Sequence, residues 1–169
     1  MKDVMGIIYT GENDALLREL TIIRAIAALP VAGRFRVIDF LVSSMVNAGI
    51  RNIGVIMQKN YHSLMDHLGS GKEWDLHGKI NGLHILPPFL TRENVGLYPG
   101  FLDALRSNND YLTRSKQELI VLSNSNIIYN AHLDETAAAV LEYQLFPTYF
   151  LRLLQQIITD WVTEHKNLC

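Results

Sequence analysis

Residues suited to phosphate chemistry stand near the start of the chain. An apolar run, Val4 to Tyr9, ends in the small-residue turn Thr10-Gly11-Glu12-Asn13-Asp14, after which helical spacing begins. A strand feeding such a turn offers backbone N–H groups and a helix N-terminus to an anion. The loop holds one glycine, Gly11, and no basic residue before Arg18. Gly11 is thus either what remains of a nucleotide cradle or a tight-turn glycine. Other chemistries find little support. His62 and His67 are five apart rather than at the i,i+4 spacing of a helical zinc pair, and no cysteine lies near them, so no metal site is expected. Ser43, Ser44 and Ser123 lack the G-x-S-x-G context of a nucleophile, and no catalytic residue is expected among them.

The elements that must position this loop follow from the apolar runs. "VMGIIYT" (4–10), "NIGVIMQ" (52–58), "LHILPP" (83–88) and "ELIVLSN" (118–124) suit buried strands. Helical patterns lie between them. In "VIDFLVSSMVNAGI", Val37, Phe40, Leu41, Ser44, Met45 and Ala48 are expected on one face, with Gly49 as the C′ residue. "YHSLMDHLGSG" and "PGFLDALRSNNDYLT" read as further helices, with Pro99 near a helix start. Alternating strands and helices imply parallel strands and a Rossmann-like α/β sheet. Ligands of such sheets bind at the carboxyl ends of the strands, here Thr10-Gly11, Gln58-Lys59-Asn60 and Asn124-Ser125-Asn126.

The bulk properties are those of one globular domain: 169 residues, 49% hydrophobic, with a formal net charge of −2. That charge gives no electrostatic footprint for nucleic acid or an anionic membrane. A single cysteine, Cys169, precludes an internal disulfide framework. No signal-peptide pattern opens the chain, and no apolar stretch reaches the ~18 residues of a membrane span. A cytoplasmic protein is the expectation. After Asp134 the pattern changes: Tyr149, Leu153, Ile157 and Trp161 stand four apart, predicting an amphipathic helix over 148–163 entered at Pro147.

Residues 24–76, "RAIAALPVAGRFRVIDF" through "SLMDHLGSGKEWDL", closely resemble the bacterial glucose-1-phosphate adenylyltransferases, the ADP-glucose pyrophosphorylases of glycogen synthesis. "GRFRVIDF" is similar to their GxYRIIDF segment, and "SLMDHLGSGKEW" to SLxxHIxxGxxW. The likeness takes in the first strand and continues through "PGFLDAL" and "IVLSNSNIIYN", so it covers residues 1–134. It implies the N-terminal part of a Rossmann-like nucleotidyltransferase domain, a parallel or mixed sheet with flanking helices. On this reading the family's C-terminal left-handed β-helix is not expected in this chain, and residues 135–169 are expected to form a helical tail that does not resemble the family. By the same resemblance, Gln58 matches the glutamine that faces adenine, and Gly100 and Asp103 match the sugar-nucleotide segment GTADA. With Gly11, these are the candidate residues of a vestigial nucleotide or sugar site. The plainer readings remain beside it: a polar strand-end residue for Gln58, and a first-turn aspartate favoured by the helix dipole for Asp103. Arg36 and Asp39 read as fold-holding.

The departures carry the functional expectation. Where the family has AGGxGTRL, this chain has "YTGENDAL" (9–16), so Ala15 stands in place of the arginine. Ile26 replaces the lysine of AKPAVPFGG, and "NSN" (124–126) replaces GDH, leaving Ser125 where the magnesium-binding aspartate would be. Adenylyl transfer needs phosphate charge neutralised by positioned cations and a metal. The pattern resembles a divergent branch of the family, the GlgD-type regulatory subunits, which pair with a catalytic subunit in a hetero-oligomer. That branch implies a catalytic glucose-1-phosphate adenylyltransferase subunit as partner, no magnesium of its own, and ATP, ADP-glucose or a sugar phosphate as candidate effectors. Three alternatives stay open: a weakly active nucleotidyltransferase, a stand-alone nucleotide- or sugar-phosphate-binding module, and a truncated fragment without function.

Overall fold

Six consecutive residues of the first apolar run, Val4–Tyr9, form strand β1, and every one of them is buried. A strand buried on both faces belongs in the middle of a covered parallel sheet. In the computed structural model, which describes residues 3–11, 15–78, 81–88, 98–129, 133 and 135, that is where β1 lies. The chain divides into two units, Met1–His132 and Leu133–Cys169, and the fold described below is that of the first. The amphipathic helix expected over 148–163 lies outside the described residues.

A small antiparallel hairpin follows β1, with β2 (Pro30–Val31) paired to β3 (Phe35–Arg36). Helix α1 (Val37–Asn47), strand β4 (Ile53–Ile56), helix α2 (His62–Leu68) and strand β5 (Leu83–Leu86) come next. Helices α3 (Phe101–Ser107) and α4 (Asn109–Arg114) lead into strand β6 (Leu119–Asn124). The main sheet has the order β5-β4-β1-β6, and all of its pairings are parallel. This is the expected Rossmann-like α/β fold. Its order changes side at β1, whose neighbours are β4 in one direction and β6 in the other.

Alternation along β1 divides the core into two layers. Met5, Ile7 and Tyr9 pack with Ile56, Tyr98, Ala104 and Leu105, under α3 and α4. On the other face Gly6 meets α1, and a Cβ built there would lie 2.5 Å from the Met45 sulfur. Helix α1 buries Ile38, Leu41, Val42 and Met45, a stripe at i, i+3, i+4 and i+7. The expected face is therefore corrected: Phe40 is 38% exposed and turns to Phe35 of the hairpin, ring centroids 6.1 Å apart. Gly49 takes the C′ position at φ +82°. Its N–H donates to Val46 O at 2.9 Å and that of Ile50 to Met45 O at 3.0 Å, the two bonds of a Schellman motif.

Two local expectations give way. The spacing after the first loop leads not into an α-helix but into a 3-10 stretch, Ala15–Thr21, broken at Arg18 by φ +44°. The single helix read in "PGFLDALRSNNDYLT" is interrupted at Asn108, whose Nδ2 donates to Ala104 O at 2.8 Å. An asparagine that captures a carbonyl with its side chain competes with the helix ladder.

The amino end of the sheet is closed by neutral polar groups. Asn52, 4% exposed, donates to Gln117 Oε1 at 2.9 Å and to Ser115 Oγ at 3.2 Å, and accepts from the Tyr111 hydroxyl at 2.8 Å. Burial pushes the Tyr111 phenol well above its ordinary value. The unfolded chain ionises this group near pH 10 while the folded chain keeps it protonated, so its contribution is intact below pH 10 and is lost as pH rises further. Tyr111→Phe is expected to cost about 1 kcal/mol at neutral pH, for the bond to Asn52. The variant should also fall less steeply than wild type above pH 10, as urea titrations at pH 8 and 10.5 would show; parallel curves would refute the assignment.

Candidate functional site

Three strand ends meet at the carboxyl edge of the sheet, and the central one is Tyr9-Thr10-Gly11. Thr10 is anchored to β4 twice, its N–H and its hydroxyl donating to Ile56 O at 3.0 and 3.1 Å. On the other side the Ser125 N–H donates to Tyr9 O at 3.0 Å, extending the β1–β6 ladder past Asn124. Ser125 is fully buried, whereas Asn124 and Asn126 are exposed. Beyond β4, Asn60 sits at φ +55° and its Nδ2 donates to Thr21 O at 3.2 Å and Ile22 O at 2.9 Å. One side chain thus fastens the end of the 3-10 stretch to the end of β4.

Gln58 is the hub of the edge. Its Nε2 donates to Tyr98 O and to the Tyr9 hydroxyl, both at 3.0 Å, while its Oε1 accepts the Tyr98 N–H at 3.0 Å. Both amide hydrogens are used, and the side chain pairs with the Tyr98 main chain as a neighbouring strand would. Tyr9, 5% exposed, also meets the Phe101 ring edge-on, centroids 5.2 Å apart.

Gly11 lies under this cluster. A Cβ added to it would come 2.2 Å from the Tyr9 hydroxyl oxygen and 2.5 Å from Gln58 Cγ, so no side chain fits. Gly11 is not among the glycines at positive φ. Its reason for being glycine is space rather than the conformation of a tight turn. Of the candidate residues, the fold brings Gly11 and Gln58 together. Gly100 caps α3 in extended geometry, two residues beyond Tyr98, and a Cβ there would make only an ordinary contact, 3.6 Å from Asp103 Oδ2. Asp103 stands in the first turn of α3, without a side-chain capping bond. Ile26 opens a short 3-10 turn, Ile26–Ala28, and Ala15 opens the longer stretch already described. Tyr9 and Tyr98 were not singled out by the sequence, whereas Asn60 was named only as part of the strand end Gln58-Lys59-Asn60. A sign of the first was there: a bulky aromatic where the family loop begins with alanine.

A second polar cluster joins α1 to α2 away from the strand ends. His67 Nε2 lies 2.6 Å from Asp39 Oδ1, and the Arg36 N–H donates to Asp39 Oδ2 at 2.8 Å. A carboxylate only accepts, so His67 donates here. Arg36 Nη1 reaches the Ser63 carbonyl and hydroxyl, and Trp74 Nε1 donates to Ser43 Oγ at 3.1 Å. Among the described residues, no group of three or more His, Cys, Asp or Glu is placed to hold a metal ion, and no helix is long and apolar enough to cross a membrane.

An open parallel sheet whose order reverses at β1 defines the class: a Rossmann-like α/β domain. Comparison with known proteins makes it specific. The nucleotidyl transferase family matches residues 5–152, and the chain belongs to that family. The glycogen biosynthesis protein GlgD of Bacillus subtilis is 45% identical over 130 residues, covering 75% of this chain and 37% of that protein. Glucose-1-phosphate adenylyltransferase of Thermotoga neapolitana is 33% identical over 145 residues, covering 86% of this chain and 33% of that protein. The chain therefore spans little more than a third of the length of these relatives. A crystal structure of a Bacillus anthracis protein assigned as a glucose-1-phosphate thymidylyltransferase superposes with a TM-score of 0.63 at 19% identity, over 82% of this chain and 50% of that one. At that identity it shows the fold.

Proposed function

We propose that this chain is the N-terminal part of a regulatory, catalytically impaired subunit of glucose-1-phosphate adenylyltransferase. It acts in the cytoplasm, in glycogen biosynthesis, by association with a catalytic subunit that makes ADP-glucose and pyrophosphate from ATP and glucose 1-phosphate. The observation that carries the reading is a strand–turn scaffold of the nucleotidyl transferase kind without the cations and the metal-site aspartate of the family pattern. Ala15, Ile26 and Ser125 occupy the positions where the resemblance places arginine, lysine and a metal-binding aspartate. Removing a single group that stabilises developing charge costs about 10²–10³ in rate. The residues at the end of β6, Asn124, Ser125 and Asn126, bring no carboxylate, and Ser125 is closed off from solvent. They do not fit a magnesium ion, which favours oxygen ligands that include carboxylates. GlgD proteins at 45% and 40% identity support the branch within the family.

The test is co-expression of the full chain with the catalytic adenylyltransferase subunit of the same cell. Expected are co-purification, a change of twofold or more in ADP-glucose formation, and no ADP-glucose above background from this chain alone. Turnover by the chain alone, or no association with unchanged rate, would overturn the reading.

A further inference from the structure

Tyr9 is the last residue of β1, and β1 is where the sheet order changes sides, with β4 on one flank and β6 on the other. In open parallel sheets the crevice at that point, outside the carboxyl ends of the strands, is where ligands bind. Here the Tyr9 ring is packed into that strand end, against Ile56, Tyr98, Ala104 and Leu105. The Tyr9 hydroxyl lies over Gly11, within 2.2 Å of where a Cβ would be, and takes the second amide hydrogen of Gln58 at 3.0 Å. The Phe101 ring holds it edge-on at 5.2 Å. Each contact is one that a flat ligand ring could make: an edge acceptor for the Gln58 N–H, an aromatic neighbour, and a glycine that lets the ring come close to backbone.

We propose that Tyr9 is a built-in occupant of a nucleobase subsite, and that this one side chain sets whether the strand-end crevice binds a nucleotide. With the phenol in place the subsite is full and Gln58 is satisfied. With the phenol removed, Gln58 keeps its pairing with the Tyr98 main chain and gains one free N–H, directed into a space the size of an aromatic ring above Gly11. A heteroaromatic base with an acceptor on its edge restores that hydrogen bond. Engineered apolar cavities of this scale bind aromatic molecules, and the polar edge adds selectivity. The inference rests on the sheet geometry and on family membership, and is independent of the partner subunit.

The experiment is a melting series on the full chain, with ATP and with tripolyphosphate as probes, both without divalent metal. Wild type is expected to be unmoved by millimolar ATP. Tyr9→Ala is expected to melt lower and to recover on ATP addition, with ATP affinity at least tenfold above wild type and no recovery with tripolyphosphate. Tyr9→Phe keeps the ring, so it should remain as blind to ATP as wild type. Tyr9→Val retains a strand-forming residue and carries the comparison if the alanine variant does not fold. The proposal is overturned if wild type binds ATP as tightly as the opened variants, if a folded opened variant ignores ATP, or if tripolyphosphate is equally effective. None of these outcomes depends on co-purification or turnover, so failure here is separable from failure of the regulatory reading.

Discussion

Asp39→Ala is expected to lower the unfolding free energy by about 3 kcal/mol, the range for breaking a mostly buried polar pair by removing one partner. Both carboxylate oxygens are committed, one to His67 Nε2 at 2.6 Å and the other to the Arg36 N–H at 2.8 Å. The alanine variant leaves an uncapped N–H at the start of α1 and strands the His67 ring against Trp74, whose centroid lies 6.3 Å away. Asp39→Asn separates hydrogen bonding from charge. Its carbonyl can accept the Arg36 N–H, and its amide can donate to His67 if the imidazole changes tautomer and accepts at Nε2. That variant should lose only about 1 kcal/mol. Urea denaturation of the two variants against wild type measures both. Equal losses would mean that the negative charge dominates, and a loss below 0.5 kcal/mol for alanine would remove the cluster from the list of what holds α1 to α2.

The same pair shows how much was legible in the sequence. Asp39 and Arg36 read as fold-holding from their place in "GRFRVIDF", but nothing in the string names His67 and Ser63 as their partners, 28 and 27 residues on. The four main strands were legible because each is an apolar run, although only β1 and β4 are fully buried while β5 is half-buried and β6 leaves Leu122 exposed; Gly49 was legible because a Schellman stop requires φ > 0. The hairpin at Pro30–Arg36 was not, since two-residue strands carry no periodicity. Nor was the face of α1, where Phe40 follows the hairpin rather than the core. At the candidate site, Gly11 and Gln58 were visible as strand-end residues. What Gln58 holds was not, because its partners Tyr9 and Tyr98 lie 49 and 40 residues away and meet it only when β1 and β4 are paired. Local pattern reports elements; satisfaction of a buried amide is a property of the assembled sheet.

Ser125→Asp places at the end of β6 the carboxylate that the family resemblance leads one to expect there. Ser125 is fully buried, its N–H tied to Tyr9 O. A carboxylate placed there loses its hydration without gaining a cation, because Ala15 and Ile26 bring none. Desolvation raises the pKa of the introduced group in the folded state above the ~3.9 of the unfolded chain. The unfolded state then releases its proton first, so stability falls as pH rises from about 4. The variant is therefore expected to be several kcal/mol, on the order of 4, less stable than wild type at pH 7, with the deficit shrinking toward pH 4. Denaturant titrations across pH 4–8 read this directly, and millimolar magnesium should not restore the loss, since Asn124 and Asn126 add no charge to hold the ion. A deficit that is flat with pH would mean that the carboxylate stays hydrated and the strand end is open, and one that magnesium abolishes would show a metal site there and would count against catalytic impairment. The expected result says why reversion at one position is unfavourable. The strand end is closed around a neutral residue, and neither Ala15 nor Ile26 offers a cation that would offset a carboxylate there.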